Sequence, residues 1–130
     1  MYTYKEYKNN NNNVLLIEEA EQIYEKMISA IDFNNSDLKE IWDDLIKNAL
    51  EYSQIRSKWL ILTKEERMDN GKNLLRTRKH DVVISLFNIL SRYMNKIGRD
   101  VSWREQLGNE RKRIGDFICY IAFIYGLNSR

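Results

Sequence analysis

SWREQLGNERKRIGDFICYIAFIYG, residues 102–126, combines a helix start, the densest basic cluster and the most apolar run of the chain. Ser102 and Glu105 have capping-box spacing, in which each side chain binds the backbone amide of the other residue. Gly108 is expected to end this first short helix, because glycine readily adopts the left-handed conformation found at helix ends. The stretch therefore predicts a short helix, a turn and a second helix.

The second helix of this stretch is expected to form the centre of the core. Asn109 is a suitable cap for its start. Its apolar residues recur at three- and four-residue steps and so share one helical face; they are Ile114, Phe117, Ile118, Ile121, Ala122 and Tyr125. The uncharged run, residues 117–125, is too short to cross a bilayer, which needs ~20 residues. Cys119 within it is expected to be buried and unreactive.

Composition favours an all-α fold over a sheet. The chain has 130 residues, no proline and only five glycines, whereas a sheet-rich fold needs many tight turns. Apolar residues at helical spacing predict long helices over residues 14–33, 37–62 and 72–97, and Thr63 with Glu66 repeats the capping-box spacing of a short helix. We therefore expect a single helical bundle over residues 14–130, with about four main helices and two short ones.

The N-terminal residues 1–13 differ from the rest of the chain. They end in five consecutive asparagines, and asparagine forms helices poorly because its side chain competes for backbone hydrogen bonds. We predict a flexible tail here. It lacks the apolar segment of a signal peptide, which favours a cytoplasmic protein without membrane contact.

Charge is divided unevenly between the two halves of the chain. Residues 1–63 carry 7 basic and 11 acidic residues, a balance of −4, and residues 64–130 carry 14 basic and 8 acidic residues, a balance of +6. A basic half of this kind could face an anionic partner. The alternative is that the two halves neutralise each other within one bundle.

Residues 107–117, LGNERKRIGDF, resemble the turn and recognition helix of helix-turn-helix DNA-binding proteins. The shared features are leucine-glycine at the turn, an apolar residue seven positions later and an aromatic residue three after that. The resemblance implies that Asn109, Glu110, Arg111, Lys112 and Arg113 face DNA, where arginine pairs with guanine and lysine neutralises phosphate. The upstream residues depart from the family pattern.

Residues 72–81, KNLLRTRKHD, form a second basic cluster around the single histidine of the chain. The cluster resembles the arginine-to-histidine signature of small all-helical ribonucleases, which implies RNA cleavage. Three residues separate Arg76 from His80, whereas the family has four to six. At this spacing the two side chains still share a helical face.

Residues 102–117, together with Arg92 and Tyr93, also resemble a family of small uncharacterised helical proteins from AT-rich bacteria and their mobile elements. This resemblance spans the second half of the chain and implies no activity.

We expect a binding protein without cofactor or metal, and more readily a non-enzyme than an enzyme. Its contact surface is predicted in the basic half, at Lys72, Arg76, Arg78, Lys79, His80, Arg104, Arg111, Lys112 and Arg113. Nucleic acid is the expected partner, in a regulatory or accessory role. The alternatives are an adaptor or inhibitor that binds an acidic protein, and a ribonuclease that uses Arg76 and His80.

Overall fold

A computed structural model describes residues 14–60, 62–68 and 70–126, apart from the side chains of residues 57, 60, 70, 72 and 126. Within these ranges the chain forms six helices and no strand, which confirms the all-α prediction. The helices are α1 (Ile17–Ala30), α2 (Ser36–Leu60), α3 (Lys64–Arg67), α4 (Asn70–Lys96), α5 (Ser102–Leu107) and α6 (Arg111–Ile121), which continues into a π-helical turn, Ala122–Gly126. The predicted tail, residues 1–13, lies outside the described residues.

The long helices α2 and α4 pack side by side in opposite directions. Tyr93 contacts Asp37 at one end of the pair, Lys79 contacts Glu51 in the middle, and Arg76 lies over Trp59 at the other end. From the first of these contacts to the last, the residue numbers rise along α2 and fall along α4. This antiparallel pair forms one wall of the bundle.

Helix α6 is the centre of the core, as predicted. Every residue from Ile114 to Ile121 is buried, and Cys119 is buried among them. Phe117 contacts Phe87 of α4 and Tyr120 contacts Tyr24 of α1, so α6 joins the α2–α4 pair to α1. The part of α6 from Ile114 onward is apolar apart from Asp116, which fits this surrounded position.

Two of the predicted helix starts differ from the structure in their capping residues. The capping box of Thr63 and Glu66 is present, but the one predicted for Ser102 is not. Ser102 is already the first residue of α5, and its amide and hydroxyl donate to the carboxylate of Asp100. Asn109 is not the cap of α6: Glu110 precedes that helix, and the Asn109 side chain accepts from Arg104.

The end of α5 and the start of α4 lie at or near their predicted positions. Gly108 has φ 77°, so α5 ends at this glycine as predicted. Helix α4 begins at Asn70, two residues before the predicted start at residue 72, so Gly71 lies in its first turn; Asp69 lies outside the described residues. No helix among those described is long and apolar enough to span a membrane.

Candidate basic cleft

The second half of the chain and α2 together form a cleft with a volume of about 610 Å³. Three helices line it. Its lining residues are Tyr52, Arg56 and Trp59 of α2, Arg76, Thr77, His80 and Asp81 of α4, and Arg111 and Lys112 of α6. We call this site the basic cleft. Four of the nine predicted contact residues, Arg76, His80, Arg111 and Lys112, meet there.

Arg76 lies against the aromatic wall of the cleft. Its guanidinium carbon is 4.5 Å from the centre of the Trp59 ring, a cation–π distance, and its Nη2 donates to Asn73 at 3.4 Å. Trp59 itself is half-buried, although its position in the apolar stripe of α2 predicts a core residue. Trp59 therefore holds Arg76 at the cleft wall while keeping part of its ring exposed.

His80 forms the floor of the cleft and is held in its neutral form. Its side chain is 5% exposed, and Nε2 lies 2.9 Å from the carbonyl oxygen of Arg111. Since a carbonyl only accepts, Nε2 carries the proton. Burial lowers the pKa of His80 below its ordinary value because it disfavours the charged ring. His80 therefore adds no positive charge at neutral pH.

The first turn of α6 supplies the two exposed cations of the cleft. Arg111 donates to Asp81 at 2.8 Å, and both side chains of this pair are more than half exposed. Lys112 is exposed, and no residue in the described ranges forms an ion pair or hydrogen bond with it. Because an exposed ion pair contributes little to stability, a ligand can replace Asp81 as the partner of Arg111 at low cost. Both Arg111 and Lys112 are therefore accessible to a ligand.

Arg56 lies deeper and forms an ion pair that was not among the predicted contacts. Its Nη2 is 2.5 Å from Oδ1 of Asp116, whose side chain is completely buried. The other carboxylate oxygen of Asp116 accepts from the amides of Val14 and Leu15, at 2.6 Å and 2.9 Å. A buried charge is tolerated only with such partners. The pair therefore serves first to join α2, α6 and the start of the described chain.

The sequence does contain a signal for this pair. Ala49, Tyr52 and Trp59 predict an apolar face on α2, and Arg56 falls on the same face. Asp116 falls between Ile114 and Phe117 in the most apolar helix. Two opposite charges on two core-facing helical surfaces are expected to meet, because neither can be buried alone.

Glycine at position 115 lets α2 and α6 approach each other beside this pair. A Cβ atom there would lie 2.8 Å from the hydroxyl of Tyr52 and 3.2 Å from Nη1 of Arg56. Burial raises the pKa of Tyr52 to about 12, so its hydroxyl remains protonated. The close contact fixes both α2 side chains at the back of the cleft.

The cleft keeps a net positive charge after its internal pairs are counted. Four cations line it, while the carboxylates of Asp81 and Asp116 pair with two of them and His80 is neutral. The remaining charge is +2. Arginine, lysine and an aromatic ring around a concave space form a site that suits a phosphate-bearing ligand.

The other predicted contact residues do not line the cleft. Lys79 pairs with Glu51 and donates to Asn48; Arg104 donates to the carbonyl oxygen of Gly108; Arg113 pairs with Glu19 and donates to the carbonyl oxygen of Leu107. Arg78 is exposed two residues from Arg76 and so points to the opposite side of α4. The side chain of Lys72 lies outside the described residues.

Two of these internal pairs cross between the halves of the chain. Arg113 with Glu19 and Lys79 with Glu51 join a basic residue of the second half to an acidic residue of the first. The alternative interpretation of the charge asymmetry, neutralisation within the bundle, therefore holds for these two cations. The predicted single basic surface is smaller than the sequence suggests.

The exposure of α6 bears on the helix-turn-helix resemblance. In that family the N-terminal residues of the recognition helix contact the base edges. Helix α6 exposes Arg111 and Lys112 in its first turn, whereas every residue from Ile114 onward in the helix is buried. Groove reading by α6 stays a prediction, and it would depend on these two first-turn residues.

Among the described residues, no group of histidine, cysteine, aspartate and glutamate side chains is arranged to hold a metal ion. Comparison of the chain with protein-family models, with curated proteins and with solved structures gives no match. Functional inference therefore depends on the cleft itself.

Proposed function

We propose that this protein binds single-stranded nucleic acid, with phosphate groups held in the basic cleft by Arg76, Arg111 and Lys112. The observation that carries the proposal is the convergence of cations from α4 and α6 on one concave site that keeps a net charge of +2 after its internal pairs are counted. Cations gathered in this way attract phosphates and release the counterions around them. The role is binding without catalysis.

The shape of the site favours a single strand over a duplex. Proteins that bind single strands combine a positively charged groove with aromatic side chains on which bases stack. The basic cleft offers both, since the partly exposed ring of Trp59 stands at its wall, where a base would replace the Arg76 guanidinium that lies over the ring at 4.5 Å. A duplex presents its base edges only in its grooves, and α6 exposes side chains in its first turn alone.

Fluorescence anisotropy with a labelled oligonucleotide tests the proposal. We expect affinity to fall steeply with salt, and Arg76→Ala or Lys112→Ala to weaken binding about tenfold while lowering the salt slope by about one. Lys26→Ala is the matched control, because it removes one exposed cation of α1 outside the cleft. Equal losses in all three variants would show that net charge matters and the cleft does not.

An acidic protein remains the alternative partner for the same cations. Polyglutamate, as a competitor, distinguishes the two partners, since it offers carboxylates but neither phosphates nor bases. Displacement of the oligonucleotide at comparable charge concentrations would favour an acidic protein. We expect polyglutamate to compete weakly, because it cannot stack on Trp59.

RNA cleavage is a second candidate, favoured by one observation: Arg76 and His80 line the same cleft. Against it, Nε2 of His80 is bonded to the carbonyl oxygen of Arg111, and Nδ1 is buried. A general acid or base must reach its substrate. Incubation of labelled RNA with the native protein and with the His80→Ala variant tests this candidate. It requires that the native protein cleaves the RNA and that the variant does not.

A further inference from the structure

Helix α4 has a second exposed surface that the basic cleft does not use. Leu75, Val82 and Ile89 are 55%, 42% and 46% exposed and follow one another at seven-residue intervals. Large apolar residues that are exposed singly are ordinary, but a regular row along a helix is a feature of docking faces. The interval of seven keeps the three side chains on one side of the helix.

Two half-buried apolar residues extend this row. Leu86 lies between Val82 and Ile89, Tyr93 lies one turn beyond Ile89, and both pack against the core while remaining partly exposed. From Val82 to Tyr93 the row follows the alternating steps of four and three that define the contact line of a coiled coil, and Leu75 precedes it by one heptad with Lys79 at the position between. We call the five apolar residues Leu75, Val82, Leu86, Ile89 and Tyr93 the α4 seam.

The α4 seam faces away from the cleft. At about 100° per residue, Val82 and Ile89 lie roughly half a turn from His80 around the axis of α4. His80 contacts α6, whereas Lys79 and Tyr93, at the edge of the seam, contact α2. A partner on the seam would leave the cleft open.

Opposite charges flank the two sides of the seam. On the α2 side, Glu51 pairs with Lys79 but keeps 49% of its side chain exposed, and Asp37 is exposed beside Tyr93. On the other side, helical geometry places the exposed residues Arg78, Arg92 and Lys96 of α4 itself. The surface therefore carries an acidic edge, an apolar centre and a basic edge.

We propose that the partner of this surface is a second copy of the chain, with the two α4 helices parallel about a two-fold axis that runs along them. That rotation brings the acidic edge of each copy against the basic edge of the other. Arg78 then lies level with the partner's Glu51, and Arg92 level with the partner's Asp37. An antiparallel pairing would place like charges together.

Sedimentation velocity over a range of protein concentrations tests the pairing. We expect the native protein to form a dimer. The double substitution Val82→Gln with Ile89→Gln should raise the dissociation constant of this dimer by about a hundredfold. Leu16→Gln is the matched control, because Leu16 is an apolar residue that is 58% exposed at the start of α1 and does not belong to α4. A monomer at every concentration, or a dimer that the double substitution leaves intact, overturns the proposal.

A cysteine cross-link tests the parallel direction. A two-fold axis along α4 brings Ile89 against the same residue of the second copy, so Ile89→Cys should form a disulfide-linked dimer on oxidation. The native chain is the control, since its Cys119 is buried. Absence of the link at position 89, or a link that forms only between Leu75→Cys and Ile89→Cys chains, would show that the helices do not pair in parallel.

Discussion

Arg113 and Lys112 are neighbours in sequence, yet they belong to two different regions of the molecule. Arg113 is half-buried and bonded to Glu19 and to the carbonyl oxygen of Leu107, whereas Lys112 is exposed at the basic cleft. Arg56 and Arg111 differ in the same way, since Asp116 is completely buried and Asp81 is exposed. One region uses its cations to hold helices together, and the other leaves them accessible to a ligand.

The largest expected effect is at the buried pair. Asp116→Ala leaves Arg56 without its carboxylate and removes the acceptor for the amides of Val14 and Leu15. We expect the free energy of unfolding to fall by about 3–5 kcal/mol, measured by urea denaturation. Asp81→Ala removes the exposed partner of Arg111 and should change it by less than about 1 kcal/mol. If both substitutions lower the free energy of unfolding by the same amount, the two regions do not differ in what their ion pairs contribute to stability.

Gly115→Ala tests how tightly the back of the cleft is packed. The added Cβ atom would lie 2.8 Å from the Tyr52 hydroxyl, so we expect a loss of about 1–3 kcal/mol despite the better helix propensity of alanine. Tyr52→Phe in the same chain removes the hydroxyl and should restore part of the loss. Thermal and urea unfolding measure both variants; a stabilised Gly115→Ala protein would show that the contact is loose.

The neighbouring cations Arg113 and Lys112 give the most direct comparison. Arg113→Ala should lower the free energy of unfolding by about 1–2 kcal/mol, because the carbonyl oxygen of Leu107 and the Glu19 carboxylate lose their donor. Lys112→Ala should change it by less than about 0.5 kcal/mol. In oligonucleotide binding we expect the opposite order. If Lys112→Ala is the more destabilising change, the division between the two regions is wrong.

The smallest expected effect is the pH dependence that His80 contributes. Its pKa in the folded protein is lower than the value of 6.5 for an unperturbed histidine, so the unfolded chain binds the proton more readily. Stability is therefore highest above pH 6.5 and falls as the pH drops below it. Glu19 and Glu51 have lowered pKa values, and their contributions are lost only at pH values below their ordinary 4.5.

His80→Gln is the matched variant, because glutamine can still donate to the carbonyl oxygen of Arg111 but does not titrate. We expect the urea midpoint of this variant to change less with pH than that of the native protein between about pH 7.5 and pH 5. An unchanged slope would show that the titration of another group controls this range.

The helices and the core were predictable from the sequence because periodicity reports burial directly. The apolar steps of α6 and the long stripes of α2 and α4 gave the right elements, with ends shifted by a few residues at most. Caps were less predictable: Ser102 and Asn109 are good capping residues, but Asp100 accepts from Ser102 in the structure, and Arg104 donates to Asn109. Several polar residues near a helix end can cap it, and the packing of the surrounding residues decides which one does.

The cleft was only half predictable, since a charge cluster does not show where each side chain points. Arg76, His80, Arg111 and Lys112 meet because α4 and α6 lie next to each other, which no local pattern indicates. Trp59 and Arg56 come from α2, and their role depends on the antiparallel pairing with α4. Partners such as Glu19 for Arg113 lie 94 positions away in sequence, so long-range packing decides which cations remain free.

The bonds from Val14 and Leu15 to Asp116 also bear on how the chain folds. They join positions 102 and 101 residues apart, and they close a loop that contains almost every helix. Contacts at such a separation form slowly, because much of the chain must be ordered before they can be made. We therefore expect the start of α1 to be anchored late in folding, after α6 has packed, so that substitutions at Asp116 reduce stability mainly by speeding unfolding.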